Sequence, residues 1–270
     1  MKKKKTLSYM HEIYVKKLKR ENAAIQIFRV ALLLAILALW ELFASIGVID
    51  AFISSSPSRI AITIKDLFAN DNLLYHIAVT LYETLLGFLI AVGLGYAIAL
   101  ALWWSERARR ILEPYIVVLN SLPKIALGPI IIVWFGSGSK AIIFMAVLIG
   151  VIVAIITMLN GFLATDKDKI LLLRSMGATK FQILGKLVIP GSMPTFISML
   201  KISVGMAWIG SIMGEYLVSR AGLGYLIVYG GQVFKLDLVM AATVVLCLLA
   251  AIMYSAVALL EKKIVKYKDR

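Results

Sequence analysis

Six stretches of about 20 residues, almost all apolar, dominate this sequence: 30–49, 77–104, 114–135, 141–163, 195–217 and 238–260. A hydrocarbon layer about 30 Å thick takes about 20 helical residues to cross. Inside it no water satisfies backbone groups, so only helices and closed barrels span it. The pattern predicts an all-α polytopic membrane protein with six transmembrane helices. Composition agrees, since 61% of the 270 residues are hydrophobic, 16% are charged and the mean hydropathy is +0.91, far from the balance of a water-soluble domain. The second stretch is long enough to tilt or protrude. In the third, Pro114 suits the first helical turn, whereas Pro123 and Pro129 fall inside it. Each removes a backbone donor, so a kink or interruption is expected there.

Charge sets the expected orientation. Of the 29 Lys and Arg residues, 22 fall in the segments 1–29, 105–113, 164–194 and 261–270, and only five in the alternate loops. Basic loops stay in the cytoplasm, which places both termini inside and requires an even number of spans. The domain reading is a basic tail at 1–29, a membrane domain at 30–260 with its largest cytoplasmic loop at 164–194, and a second basic tail at 261–270. A net charge of +14 suggests nucleic acid in a soluble chain. Here the basic residues flank apolar segments instead of forming a stripe with aromatics, so membrane lipid is the expected partner and nucleic acid is not. A cleaved signal peptide is disfavoured, because the first apolar stretch begins only at residue 30 and has full spanning length.

Catalytic chemistry finds little support. Cys247 is the only cysteine and reads as a small buried apolar residue, and His11 and His76 are the only histidines. No metal or cofactor site is expected. Gly136-Ser137-Gly138-Ser139 is superficially like an intramembrane serine protease motif, but a serine nucleophile needs an adjacent base, and a tight turn is the ordinary reading. No Gly-x-x-x-x-Gly-Lys-Ser/Thr phosphate loop occurs, since Gly185-Lys186 lacks both the upstream glycine and the following hydroxyl.

Charges inside spans are costly. Glu41 and Glu83 read as structurally paired or water-exposed. Lys201 can snorkel to the interface, and Lys201, Trp208 and Glu215 are the candidates for lining a pathway. Gly210-x-x-x-Gly214, like Gly87, Gly93 and Gly95, permits close helix approach, either within one subunit or across a pair.

The loop 165–194 carries the densest signals. Thr165 with Asp168 can cap a helix start, Gly177 can end that helix in the left-handed conformation, Thr179 with Gln182 forms a capping box, and Pro190 and Pro194 close the next helix. Ile170, Leu171, Leu172 and Leu173 are more apolar residues in a row than one buried stripe can hide. Either the membrane interface covers them, with Lys167, Lys169 and Arg174 on headgroups, or a hydrophobic cleft on a partner protein does.

The run LLLRSMGATKFQILGKLVIPGSMP at 171–194 resembles the EAA loop of binding-protein-dependent ABC permeases, whose pattern is Glu-Ala-Ala, three residues, then Gly. The stretches Leu122-Pro-Lys-Ile-Ala-Leu-Gly-Pro129 to Trp134-Phe-Gly136, and Gly214-Glu-Tyr216 to Gly222-Leu-Gly-Tyr225, resemble the nitrate, sulfonate and taurine branch of that family. With the six spans, the likeness covers residue 30 to the end. It implies an importer permease subunit that does no chemistry itself, with ATP hydrolysed on separate ATPase subunits. A second permease copy and an extracytoplasmic solute-binding protein are implied as well, with a small solute that in this branch is an organic or inorganic anion such as nitrate, an alkanesulfonate or taurine, or else a vitamin precursor or aromatic acid. Ile170, Leu171, Leu172, Leu173, Arg174, Gly177 and Ala178 then form the coupling helix and its turn, seated on the ATPase. The sequence departs from the pattern where Leu171, Leu172 and Leu173 replace Glu-Ala-Ala, which implies a more apolar fit. A secondary transporter or channel is the alternative. It calls for internal repeats or several deep ionisable residues, and no clear repeat is present.

The 22 to five charge split makes the topology testable. In a Cys247→Ser background, single cysteines at positions 54–58 are expected to react with an impermeant thiol reagent from outside, and cysteines at 167–169 only from inside. Labelling of both regions from one side excludes six spans with cytoplasmic ends.

Overall fold

A computed structural model describes residues 2–70, 72–218 and 220–265. Among them the regular structure is helical, with no strand. The helices are α1 (Lys2–Ser45), α2 (Ala51–Ser54), α3 (Pro57–Asn70), α4 (Leu73–Trp104), α5 (Glu106–Ser121), α6 (Gly128–Phe135), α7 (Ser139–Leu163), α8 (Lys167–Ser175), α9 (Lys180–Ile183), α10 (Ile189–Gly191), α11 (Met193–Val218), α12 (Leu223–Gln232) and α13 (Leu236–Val265). The chain forms two compact units, one up to Thr63 and the other from Ile64 onward.

In the first unit, α1 runs for 44 residues without a break, so the expected tail at 1–29 and first span at 30–49 share one helix. Neither Gly nor Pro precedes Gly47, and the Lys, Glu, Arg and Leu residues of this stretch are good helix formers. The helix closes at Ser45, earlier than expected, and Gly47 takes φ +75° in the turn that follows. The side chains of residues 2–10, 12, 51, 70 and 263–265, and the second basic tail from residue 266, lie outside the described residues. Glu41 is structurally paired, as expected. Its carboxylate accepts from Ser58 N at 2.9 Å, Ser58 Oγ at 2.8 Å and Ser56 Oγ at 3.4 Å, which satisfies donors at the start of α3.

The second unit is built on α7. Ala141, Met145, Ala146, Ala154, Met158 and Phe162 are buried along it, with α4 and α11 packed against it and α13 against α11 and α12. The approach is close because small residues meet at each crossing. A Cβ added to Gly87 would stand 2.6 Å from Ala146 Cβ, and one on Gly210 2.4 Å from Ala146 Cα. Gly95 meets Ala154 and Gly214 meets Ile142 in the same way. These glycines therefore pack within the subunit, whereas Gly93 faces open space.

The third apolar stretch is broken, as its prolines predict. α5 and α6 meet at 85° across a 3₁₀ turn at Lys124–Leu127, so among the described residues five helices are continuous candidate spans, and the count reaches six where this bent pair crosses as one broken span. Pro123 marks the break. Two placements differ from expectation. Pro114 lies inside α5, because Ser105 caps the helix by accepting from Ala108 N at 3.3 Å and starts it upstream. Pro129 lies in the first turn of α6, where its missing N–H costs nothing. Cys247, expected to be buried, is exposed on α13.

Packing at Ala146 leaves no room for a side chain on α11. Gly210→Val is expected to destabilise the purified protein by about 3 kcal/mol through overpacking, read as a lowered thermal midpoint in detergent. Gly93→Ala should hold or raise the midpoint, since nothing obstructs it and alanine favours helix by about 0.5–1 kcal/mol.

Candidate functional site

The loop between α7 and α11 folds as the sequence signals indicate, with one change of cap. Asp166, not Thr165, starts α8: its carboxylate accepts from Asp168 N at 2.9 Å and Lys169 N at 3.5 Å. Asp166 is the better placed acceptor because it directly precedes the first helical residue, Lys167. At the other end Gly177 adopts φ +82°. Its N–H donates to Arg174 O and that of Ala178 to Leu173 O, both at 2.9 Å. That pair of bonds is a Schellman motif, and the left-handed residue in it favours glycine. The capping box follows as read, with Gln182 N donating to Thr179 Oγ1 at 3.3 Å and Thr179 N to Gln182 Oε1 at 2.8 Å.

Beyond α9 the chain does not stop at Pro190. It passes through a π-helical turn, Leu184–Val188, into α10. Pro190 has no N–H to offer the preceding turn, and a wider turn is one way a helix absorbs that loss.

The apolar run divides between two faces. Ile170 and Leu173 pack against a buried cluster that includes Ala99 and Leu102 of α4, Met158 and Phe162 of α7, and Met199 of α11. Leu171 and Leu172 point away and are 66% and 59% exposed, beside Met176 and Phe181, each 74% exposed. Next to them Leu173, Met176, Gly177, Ala178, Gln182 and Lys186 line a cavity of about 300 Å³. One side of α8 thus belongs to the core, and the other presents an apolar knob beside a hollow.

A second tie joins this loop to α4. Lys180 Nζ lies 5.0 Å from the centre of the Trp104 ring and 5.6 Å from that of Trp103, and it donates a hydrogen bond to Trp104 O. A cation over aromatic faces is worth about 0.5–2 kcal/mol, and the carbonyl it bonds is one that the end of α4 leaves unpaired. The sequence showed Trp103, Trp104 and Lys180 but offered no signal that they meet.

The three pathway candidates are dispersed along α11. Lys201 pairs with Glu261 on α13 at 2.5 Å. Trp208 is buried among Phe88, Val204, Ala207, Ile212, Met253 and Val257. Glu215 is only 1% exposed and accepts from Gly224 N at 2.5 Å. Beside that bond, Leu223 N donates to Thr80 Oγ1 at 2.7 Å and Gly222 N to His76 Nδ1 at 3.0 Å. Three successive amides at the start of α12 are thereby held by α4 and α11. Gly222 and Gly224 have to be small, because a Cβ on either would stand within 2.8 Å of Glu215. Ser137 and Ser139 belong to the tight turn into α7, where Gly136 and Gly138 both have positive φ.

Comparison with known proteins gives a consistent set of relatives. Residues 91–266 match the family described as binding-protein-dependent transport system inner membrane component. A putative aliphatic sulfonates transport permease protein of Bacillus subtilis is 28% identical, over 87% of this chain and 85% of its own length. A probable ABC transporter permease protein of Haemophilus influenzae is 30% identical over 82% and 90%. A formylaminopyrimidine transport permease protein of Halalkalibacterium halodurans is 30% identical over 88% and 94%. Among solved structures, a chain of the MetNI methionine ABC transporter in an inward-facing conformation aligns with a TM-score of 0.63 at 20% identity. That match takes in 71% of this chain and 95% of the other, and it shows a shared fold.

If Lys180 clamps the loop to α4, Lys180→Ala frees the segment around the capping box. Amide exchange across residues 178–186 is expected to quicken about fivefold, the equivalent of about 1 kcal/mol. Exchange in α7 should stay unchanged, and Lys180→Arg should restore most of the protection.

Proposed function

This chain belongs to the family of binding-protein-dependent transport system inner membrane components, the permeases of ABC importers, and on that premise we propose how it is oriented, what it couples to and what it carries. The chain is a membrane permease without a catalytic centre of its own, and ATP is hydrolysed on a separate subunit. Its termini and the α8 loop face the cytoplasm, while the turn at 136–138 and the start of α12 face outward. The 22 to five division of basic residues supports that orientation. The tail at 1–29 leans on anionic lipid, the permease domain occupies 30–260, and the tail at 261–270 ends in the cytoplasm.

One observation carries the coupling role: α8 turns two apolar faces in opposite directions. Ile170 and Leu173 grip the core shared by α4, α7 and α11, and Leu171 and Leu172 stand exposed with Met176 and Phe181. A membrane anchor needs only the second face. A lever needs both. ATP binding draws the ATPase pair together and pushes the exposed face. Arg174 and the Gly177–Ala178 turn fix the lever's end, and the buried face with the Lys180–Trp104 tie delivers the displacement to α4. Two copies of the chain enclose the pathway. α5, which has no buried residue, offers an apolar face to the second copy or to lipid. For Lys201, Trp208 and Glu215 to line the pathway, α12 and α13 have to draw away from α11 as the transporter turns from inward-open to outward-open.

The substrate is a small organic or inorganic anion, such as a sulfonate, taurine or nitrate, delivered by an extracytoplasmic binding protein. The relative named for aliphatic sulfonates supports this.

Two variants test the lever. Gly177→Val forces a β-branched residue into a positive φ, which tilts the end of α8. Leu172→Asp places a charge in the ATPase groove at a cost of several kcal/mol if unpaired. Both are expected to insert normally, retain less ATPase on purification, and lose at least tenfold in binding-protein-stimulated hydrolysis and uptake. Variants that assemble and transport like the parent reduce the loop to a membrane anchor.

A further inference from the structure

At the opposite end of the α7 core from α8, two carboxyl groups face each other inside the protein. Glu83 of α4 and Glu215 of α11 are each 1% exposed; the same two helices are held side by side there by the buried hydrogen bond between Thr84 Oγ1 and Ser211 Oγ at 2.6 Å, and the two carboxyl side chains lie within hydrogen-bonding reach of one another. Glu215 takes the Gly224 N–H on Oε2. Its Oε1, like Glu83 Oε2, is fully buried with no donor. Glu83 also lines a cavity of about 270 Å³ with Tyr75, Ser137, Ser139 and Arg220.

An ionised carboxylate accepts hydrogen bonds and donates none. Two of them side by side in a water-poor interior repel strongly, and leaving one oxygen of each without a donor adds a desolvation cost. One proton removes both faults, because it turns one group into a donor for the other and leaves a single charge. That charge sits by the N-terminus of α12, which favours an anion. The titratable and charged groups around the pair are Tyr75 and His76 on α4, Lys140 beside Ser139 on α7, Tyr216 on α11, Arg220 in the following loop and Tyr225 on α12. His76 is engaged by Gly222 N and stacked on Tyr225, and Lys140 and Arg220 are exposed. We propose that Glu83 and Glu215 hold one proton between them, and that this proton latches α4, α11 and the start of α12 together at the extracytoplasmic end.

The latch is directional. With the proton in place the pair is an acid bonded to a carboxylate. With it gone, two adjacent anions push α4 from α11 at the seam where Gly222, Leu223 and Gly224 are pinned. The unfolded chain has separate, hydrated carboxyls that have already released their protons at neutral pH. The folded state therefore binds the extra proton, and stability falls as rising pH withdraws it.

The test uses the full chain reconstituted in lipid and does not depend on transport, so its failure leaves the permease reading untouched. Infrared spectra of the parent at neutral pH are expected to show the carbonyl stretch of a protonated carboxylic acid, shifting in D2O. Glu83→Gln should remove that band, and Glu215→Gln should do so independently, in case one variant folds poorly. The thermal midpoint of the parent should depend more steeply on pH than that of Glu83→Gln, falling relative to it as the pH is raised. No protonated band, or a band that survives both substitutions, overturns the shared proton. A parent midpoint that rises with Na⁺ while those of both variants do not makes the site a metal-cation site and overturns it as well. Equal pH slopes in parent and variant overturn the latch.

Discussion

The closeness with which α4 and α11 approach α7 governs the rest of the second unit. In lipid, apolar helices gain nothing from leaving water, so association depends on dispersion and on how near the backbones come. Ala146 lies between Gly87 and Gly210, while Ala154 and Ile142 meet Gly95 and Gly214. Packing of this kind deforms little, because a gap of half an ångström already forfeits much of the attraction. The three helices act as one body, and what is fastened to either end of it moves with it.

The loop that carries α8 is fastened at one end by contacts of different character. Ile170 and Leu173 supply shape, the Schellman turn at Gly177 supplies direction, and Lys180 supplies a charged tie to Trp103 and Trp104. On the exposed side, Leu171, Leu172, Met176 and Phe181 are each able to contribute about 1.5–3 kcal/mol if fully buried. Association and ordering consume much of that sum. What remains suits a contact that has to persist while its two sides move.

The spans, the broken third helix, the left-handed Gly177 and the Thr179–Gln182 box were legible because each depends on local chemistry: length, a missing N–H, a missing Cβ, a side chain near its own backbone. The start of α1 was not, since no residue there breaks a helix and charge alone does not end one. The start of α8 was legible only to within one residue, since Thr165 and Asp166 are both good caps and only the backbone path decides between neighbours. Trp103 with Lys180, and Glu83 with Glu215, were not legible for another reason: each joins residues far apart in sequence, and a single sequence carries no trace of such a meeting. The seating of α12 on Glu215 is a different case, because the residues involved are close in sequence. Gly222 and Gly224 flank Leu223 at the start of α12, and the structure accounts for both by the carboxyl group that fills the space a Cβ would need.

The departure from Glu-Ala-Ala at Leu171 to Leu173 has a structural meaning that neither the pattern nor the composition supplies. Leu173 faces the core, where leucine fills more volume than alanine and lengthens the contact with the buried cluster at α4 and α7. Leu171 faces out, where a glutamate would be hydrated at little cost and a leucine is not. The substitutions therefore act on opposite sides of one helix: inward they tighten the grip of the lever on the permease, and outward they exchange a charge for apolar surface. A groove complementary to Glu at this position would leave its own polar groups unpaired against Leu171, a penalty of about 1–3 kcal/mol for each group left buried without a partner. On the proposed docking of α8, the ATPase that serves this permease presents an apolar wall there. Discrimination between related ATPases follows from that wall as much as from any attraction, because the wrong partner is rejected by what it cannot satisfy.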